Sequence, residues 1–176
     1  MKKILIMLEK GVEESEFIYP YYRFQEEGYK MDIVAPKPKT EYIGKRGVPF
    51  FSELSPDEIN VDYYDAVIVP GGQAPDRMRI YRNMVEILKE ANSKGKVIAA
   101  ICHGPQMLIE ADIVRGKTAT SWSSVRTDLR NAGAKVVDEA VVVDNNLVTS
   151  RSPDDLPEFC RAAIELLGSK EANKTP

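Results

Sequence analysis

Residues 97–106 read VIAAICHGPQ, in which an apolar run is followed by cysteine, histidine, glycine and proline. A short apolar run that ends at turn residues is typical of a strand buried in a parallel sheet. Gly104 permits a tight turn, and Pro105 suits the first position of a helix, where its missing N–H is no loss. The segment therefore predicts a strand, a sharp turn and a helix, with Cys102 on the turn. This is the arrangement of a nucleophile elbow.

Short apolar runs alternate with amphipathic stretches on both sides of this segment. They predict strands at 3–8, 31–35, 66–69, 97–101, 118–121, 136–137, 140–143 and 147–149, short strands or a hairpin within 37–55, and helices at 13–27, 83–93, 106–111, 125–132 and 156–167. We expect Pro20 to kink or interrupt the first helix. The alternation predicts one doubly wound α/β domain over residues 1–168, with a mainly parallel sheet and helices on both faces. Residues 169–176 are predicted to form a flexible tail.

Composition and charge exclude several classes of protein. The chain has 24 Lys and Arg against 27 Asp and Glu, a net charge of −3, which argues against a general nucleic-acid binder. Its apolar runs are too short to cross a bilayer, so no membrane partner is expected. The N-terminus lacks the apolar region and cleavage site of a signal peptide, which predicts a cytoplasmic location.

The Cys and His content leaves little room for a metal or a disulfide framework. There are two cysteines, Cys102 and Cys160, and one histidine, His103. Two cysteines in a cytosolic chain do not make a disulfide framework, and a structural zinc site usually needs four ligands. Cys160 lies on the apolar face of the last predicted helix and is expected in the core. We therefore expect neither a metal nor another cofactor.

Cys102 is the candidate nucleophile. The positive end of the following helix is expected to lower the pKa of its thiol, and backbone N–H groups there could hold an oxyanion. The alternative is that Cys102 is a small buried residue at the end of a strand. His103 is the sole candidate for an imidazole base. Because neighbouring side chains on a sharp turn tend to point apart, His103 is alternatively a residue that only packs.

Two glutamates follow the predicted strand at 3–8, and two glycines follow the predicted strand at 66–69. Because the carboxyl ends of parallel strands meet at one edge of the sheet, these residues are expected near Cys102. Glu13 and Glu16 share one helix face, where acidic residues either favour the helix N-terminus or point into a site. A carboxyl buried near Cys102 would have a raised pKa and could move a proton. Gly71 and Gly72 either expose backbone N–H groups to an oxyanion or form a plain tight turn.

Together these motifs resemble the PfpI-type intracellular protease superfamily, also called the ThiJ superfamily, which contains the Parkinsonism-linked deglycase-like proteins. The resemblance covers nearly the whole chain. It rests on the stretches AICHGPQ at 100–106, VPGGQAPD at 69–76, EESE at 13–16 and TSRSPDDL at 149–156. It implies a flavodoxin-like three-layer sandwich.

The resemblance also implies roles for individual residues. Cys102 is the nucleophile, and Glu16 hydrogen-bonds its sulfur, with Glu13 the second choice for that contact. Backbone N–H groups of the Gly71–Gly72 turn and of His103 lie at the oxyanion position. In the protease-like members an acidic residue of a neighbouring subunit orients the histidine, and Asp76 stands at that position where those members have Glu. Trp122 stands where they have a tyrosine, and either packs in the core or forms a wall of the pocket.

Three functions follow as hypotheses. The first is cofactor-independent chemistry on a reactive carbonyl, of the glyoxalase III or deglycase kind, with a small carbonyl compound or a glycated protein or peptide as substrate. The second is a cysteine peptidase that uses Cys102, His103 and Asp76 across a subunit interface, in a homodimer or in a hexamer built from dimers. The third is a non-enzymatic oxidation sensor or holdase, with Cys102 oxidised to the sulfinic acid. The intact thiol and carboxyl, and the departures at Asp76 and Trp122, favour the first.

Overall fold

A computed structural model describes residues 1–172 of the 176-residue chain. In this range the strands are β1 (Lys3–Met7), β2 (Lys30–Val34), β3 (Glu41–Ile43), β4 (Pro49–Phe51), β5 (Ala66–Val69), β6 (Val97–Ile101), β7 (Thr118–Ala119), β8 (Lys135–Val136), β9 (Val141–Asp144) and β10 (Leu147–Ser150). The α-helices are α1 (Glu14–Glu26), α2 (Ala74–Met78), α3 (Arg82–Ser93), α4 (Pro105–Glu110), α5 (Arg126–Asn131) and α6 (Leu156–Ala172).

Six strands form the central sheet, in the order β2-β1-β5-β6-β10-β9. Every neighbouring pair in it is parallel except β10 and β9, which are antiparallel, so β9 forms an antiparallel edge. Strands β3 and β4 form a separate antiparallel hairpin, as expected for residues 37–55. The mainly parallel sheet predicted from the apolar runs is confirmed.

Helices cover both faces of this sheet. Because successive side chains of a strand point to opposite faces, each central strand contributes to two apolar cores. Leu5 packs on one face in a core that includes Met84 of α3 and residues of α4 and α5. Ile4 packs on the other face in a core that includes Phe24 of α1 and Phe159 of α6. The three-layer α/β sandwich is confirmed, with β5 and β6 buried on both faces at its centre.

Helix α1 continues through Pro20, contrary to the expected interruption. A proline inside a helix removes one backbone hydrogen bond, here the bond to the carbonyl of Glu16. Phe17 and Phe24 are buried against the sheet on either side of Pro20, and this packing holds the helix in place. The helix begins one residue later than predicted, because Glu13 is its N-cap.

Helices α2 and α6 also differ from the sequence-based expectation. Helix α2 was not predicted, since it has only one short turn of apolar pattern around Pro75. Helix α6 extends to Ala172, so the first part of the predicted tail at 169–176 continues the helix. A longer amphipathic pattern is not needed there, because a helix that is already nucleated adds residues at little cost. Residues 173–176 lie outside the described residues.

Candidate active site

Cys102 lies on the turn between β6 and α4, in the left-handed backbone region with φ of +63°. Its N–H donates to the carbonyl of Ser150 at 3.0 Å, and its carbonyl accepts from the N–H of Trp122 at 2.9 Å. A Cβ atom at Gly104 would collide with the carbonyl oxygen of Val69. Neighbouring segments therefore hold the backbone of Cys102 from both sides, and the predicted strand, turn and helix are present.

The Gly71–Gly72 turn after β5 packs directly against this elbow. A Cβ atom at Gly71 would lie 2.6 Å from Oε1 of Glu16 and 2.9 Å from both Cβ of Cys102 and the nitrogen of His103. Gly72 has φ of +75°, a conformation that glycine adopts without strain. The two glycines therefore allow the α1 carboxyl and the elbow to approach each other at the carboxyl end of the sheet.

The thiol of Cys102 is buried, with 8% of the residue exposed. The N–H groups of Gly72 and His103 donate to its sulfur. Burial nevertheless raises the pKa of the thiol to about 12, and the negative charge of Glu16 adds to the rise. The expected lowering by the helix was wrong, because desolvation outweighs the end of the short helix Pro105–Glu110. The resting thiol is therefore protonated at neutral pH and needs a base.

Glu16 presents a neutral carboxyl to this thiol. The residue is fully buried, and the N–H of Gly71 donates to Oε1 at 2.9 Å. Its Oε2 is also buried. Burial raises the pKa of Glu16 to about 8, the charge of Glu13 adds to the rise, and hydrogen bonds to Gly71 and Cys102 oppose it. Glu16 is thus mostly protonated at neutral pH and able to donate to the sulfur.

Glu13 turns toward the β3–β4 hairpin instead. Its Oε1 forms an ion pair with Nη1 of Arg46, and its Oε2 lies 3.4 Å from Nζ of Lys45. Burial raises the pKa of Glu13, but these two cations outweigh burial and leave the pKa below its usual value. The carboxylate of Glu13 therefore pairs with Lys45 and Arg46. Glu16, and not Glu13, contacts the sulfur of Cys102.

His103 reaches the thiol. Its Nδ1 lies 3.3 Å from Sγ of Cys102, and its Nε2 lies 3.4 Å from Oγ of Ser124. The ring stacks on Trp122 with centroids 6.4 Å apart and planes 25° apart. The expectation that neighbouring side chains would point apart was wrong, because the left-handed backbone at Cys102 and the indole together turn the imidazole over the sulfur.

The imidazole is neutral at neutral pH. Burial lowers the pKa of His103, and the charge of Lys45 lowers it further, while the charge of Asp76 raises it. Asp76 acts only through this electrostatic interaction, and no hydrogen bond from it to His103 occurs within the described part of the chain. A neutral base therefore faces the thiol on one side, and a neutral acid faces it on the other.

A pocket of about 650 Å³ opens over the thiol. A larger groove of about 1250 Å³ runs along α1, but neither cysteine lines it. The smaller pocket holds the candidate nucleophile, Cys102, and is the candidate site. Its walls include the predicted residues Glu13, Glu16, Gly72, Asp76, Cys102, His103 and Trp122.

Several residues at or beside the pocket were not predicted as site residues, and Gln73, Gln106 and Pro153 are among those that line it. Lys45 and Arg46 come from the β3–β4 hairpin turn and line the pocket opposite α4. Ser124 lies in the short turn after Trp122 and contacts the imidazole. The sequence could have indicated Lys45 and Arg46 as site residues, because they are adjacent cations in a turn flanked by glycines. It gave no such indication for Ser124, which is one of several polar residues in a loop.

Arg151 and Cys160 do not line the pocket and contribute to the fold instead. The Arg151 guanidinium donates two hydrogen bonds to Asp155, of 2.9 and 3.0 Å, and a third of 3.1 Å to Asp138. Cys160 is fully buried in the core, as predicted. No helix within residues 1–172 is both long and apolar enough for a membrane span, and no cluster of three His, Cys, Asp or Glu suited to a metal occurs there.

Comparison with known proteins agrees with this fold. The DJ-1/PfpI family profile matches residues 2–166. Deglycase PfpI of Pyrococcus furiosus is 42% identical over 165 residues, which cover 94% of this chain and 99% of that protein. Protein/nucleic acid deglycase 2 of Escherichia coli is 39% identical over 170 residues, covering 96% and 99%. The crystal structure of Drosophila melanogaster DJ-1beta superposes with a TM-score of 0.88 at 31% identity, covering 98% of this chain and 94% of that one.

Proposed function

The chain belongs to the DJ-1/PfpI family, and from this premise we propose that it is a cysteine-dependent enzyme of the deglycase and glyoxalase type. Its proposed substrates are reactive carbonyls, either as free α-oxoaldehydes or as their early adducts with protein amines. The deglycase names of its relatives support the substrate class. The observation that carries the proposal is the buried thiol of Cys102 between the neutral acid Glu16 and the neutral base His103.

The first step is attack of sulfur on the aldehyde carbon of methylglyoxal. Because the resting thiol is protonated, Nδ1 of His103 takes its proton as the carbon–sulfur bond forms. The aldehyde oxygen gains negative charge, and the N–H groups of Gly72 and His103, which contact the sulfur, are the donors proposed to stabilise it. Return of the proton to that oxygen gives a neutral hemithioacetal.

The second step moves a proton between the two oxygenated carbons. The carboxylate form of Glu16 takes the proton from the first carbon and returns it to the second. The hydroxyl proton of the first carbon passes to the oxygen of the second carbon at the same time, and the hemithioacetal becomes a thioester of lactate. With a pKa of about 8, both forms of Glu16 are accessible near neutral pH. Water then hydrolyses the thioester and regenerates the thiol. The sum is methylglyoxal plus water to lactate, so no external oxidant, reductant or cofactor is required.

An adduct of methylglyoxal with an amine enters the same sequence. Sulfur displaces the amine from the carbinol carbon, the amine leaves with a proton, and the same hemithioacetal results. Lys45 and Arg46 lie at the pocket wall and remain more than two-fifths exposed, so they meet the protein part of such a substrate.

The peptidase hypothesis depends on assembly. It requires an acidic residue of a second subunit to orient His103, and Asp76 is the residue proposed for that contact in a homodimer or hexamer. Asp76 lines the pocket, which supports this second candidate. The third hypothesis, an oxidation sensor or holdase that works without turnover, predicts that protection of client proteins survives removal of the thiol.

The test is lactate formation from methylglyoxal, without glutathione or metal, by the freshly reduced protein. We expect turnover by the wild type, loss to background in Cys102→Ser and about a hundredfold loss in Glu16→Gln, since a positioned acid or base contributes roughly 10²–10⁴-fold. Glu13→Gln and Cys160→Ser are the matched controls and should keep most of the activity. Absence of turnover in the wild type would refute carbonyl chemistry and direct attention to peptide substrates and Asp76→Asn in the assembled oligomer.

A further inference from the structure

Both ring nitrogens of His103 have a partner within the chain. Nδ1 faces the sulfur of Cys102 at 3.3 Å, and Nε2 faces Oγ of Ser124 at 3.4 Å. Ser124 belongs to the short turn Ser123–Val125, which is anchored to the elbow because the N–H of Trp122 donates to the carbonyl of Cys102. The hydroxyl of Ser124 is thus carried to the imidazole by a segment that is tied to the nucleophile itself.

Nδ1 can accept the thiol proton only if the neutral ring carries its own proton on Nε2. In histidine, the hydrogen bond made by one ring nitrogen determines which nitrogen is protonated. A hydroxyl oxygen has free lone pairs that can accept from Nε2–H, and because Ser124 is exposed, its own proton is free to bond to solvent. We propose that Ser124 is a positioning residue that holds His103 as the Nε2–H tautomer, with Nδ1 unprotonated and directed at the thiol.

The other groups around the ring cannot do this. Lys45 is a cation and can only disfavour a second proton on the ring, and Asp76 acts on the ring through its charge alone. Trp122 presents the face of its indole and so fixes the plane of the imidazole without selecting a nitrogen. Within residues 1–172, Ser124 is the hydrogen-bonding partner of Nε2.

A serine in this role has a different consequence from a carboxylate. A carboxylate partner would stabilise the imidazolium and so raise the basicity of the ring, whereas a neutral hydroxyl orients the ring and leaves its basicity low. The site then works within one subunit, with an oriented but weak base. Orientation of His103 by an acidic residue of a second subunit is the competing explanation, and the two differ in which residue controls the tautomer.

The first measurement is the ¹⁵N chemical shift of the two ring nitrogens. Because His103 is the only histidine in the chain, its signals need no assignment. The reduced full-length protein would be compared at neutral pH with Ser124→Ala, Ser124→Thr and the matched control Ser123→Ala, which alters the neighbouring exposed serine. We expect the Nε2–H tautomer in the wild type, in Ser124→Thr and in Ser123→Ala, and a larger Nδ1–H fraction in Ser124→Ala.

The second measurement is the rate of alkylation of Cys102 by iodoacetamide in the same proteins, followed by peptide mass spectrometry. A neutral hydrogen bond of ordinary strength corresponds to about three- to tenfold in rate, so Ser124→Ala should react slower by that factor while Ser124→Thr and Ser123→Ala match the wild type. A wild-type ring protonated on Nδ1 would overturn the proposal, as would a Ser124→Ala protein with unchanged tautomer and rate.

This inference rests on the proposed function only in taking His103 as the base. Neither readout uses methylglyoxal, so the tautomer result stands whether or not lactate is formed. Equal thermal melting of Ser124→Ala and Ser123→Ala shows that the exposed position tolerates the change. A rate that depends on Asp76→Asn in the oligomer and not on Ser124→Ala would assign the orienting role to the neighbouring subunit instead.

Discussion

Replacement of Glu16 by glutamine should remove most of the loss of stability that the wild type suffers between about pH 4.5 and pH 8. The side chain is fully buried, and its Oε1 accepts from the N–H of Gly71. Glutamine has the same shape, keeps that acceptor and cannot ionise. The comparison therefore isolates the proton on the carboxyl.

The magnitude follows from the pKa of Glu16 in the two states. In the unfolded chain the carboxyl has the ordinary pKa of 4.5, and in the folded protein burial raises it to about 8. Below pH 4.5 both states hold the proton, and the stability contributed by the neutral carboxyl is fully present. As the pH rises toward 8, only the unfolded state ionises, and that stability is lost. A shift of about 3.5 units at 1.36 kcal/mol each gives about 5 kcal/mol.

Urea denaturation at pH 5, 6, 7 and 8 measures the effect as the difference in unfolding free energy between Glu16→Gln and the wild type. The difference should grow by about 1.4 kcal/mol per pH unit over this range and level off above pH 8. Glu13→Gln is the matched control from the start of the same helix. The pKa of Glu13 is lowered by Arg46 and Lys45 despite burial, so the contribution of its own titration is complete above pH 5. Loss of its charge acts on the pKa of Glu16 only as a secondary cause, so its difference curve should be much shallower than that of Glu16→Gln. Parallel curves for Glu16→Gln and the wild type would refute the buried neutral carboxyl.

Two further predictions concern the glycine turn and the thiols. Gly71→Ala should slow alkylation of Cys102 at least tenfold and destabilise the fold by about 1–3 kcal/mol, because there is no room for a Cβ atom at this position. The control is Gly168→Ala, in a helix with open space around the position, which should leave the melting temperature unchanged or raise it. Iodoacetamide should add one label to the native protein, on Cys102, and a second label on Cys160 only after unfolding, because Cys160 is fully buried. Mass spectrometry counts the labels, and two labels on the native protein would contradict this prediction.

The central strands were predictable because each is buried on both faces. A strand such as β5, with four buried residues, carries a continuous apolar run that no surface element would show. Helix α2 was missed for the opposite reason, since Ala74–Met78 is too short for a helical period to appear. Pro20 was given too much weight, because the burial of the flanking phenylalanines is a tertiary effect that a local rule does not contain.

The sequence predicts most residues of the candidate site, but it predicts fewer of the contacts between them. Residue types and strand ends identified Cys102, His103 and the two glutamates. Spacing alone does not say that Glu13 would pair with the hairpin cations while Glu16 would enter the core, because that depends on how α1 rolls against the sheet. The pKa of Cys102 was predicted in the wrong direction, since the local helix is visible in the sequence and the extent of burial is not. Ser124 gave no signal because its contact with His103, 21 residues earlier in the chain, exists only in the folded protein.

The left-handed backbone of Cys102 has a consequence for how such a protein changes over generations. A side chain in that conformation costs about 1–2 kcal/mol relative to the right-handed region, and glycine avoids most of that cost. Exchange of the cysteine for glycine would therefore relieve backbone strain while abolishing the proposed chemistry. Natural selection for stability and selection for activity pull in opposite directions at this one codon. A lineage with no use for the proposed reaction would therefore lose less stability by replacing Cys102 than by replacing a core residue in the right-handed region.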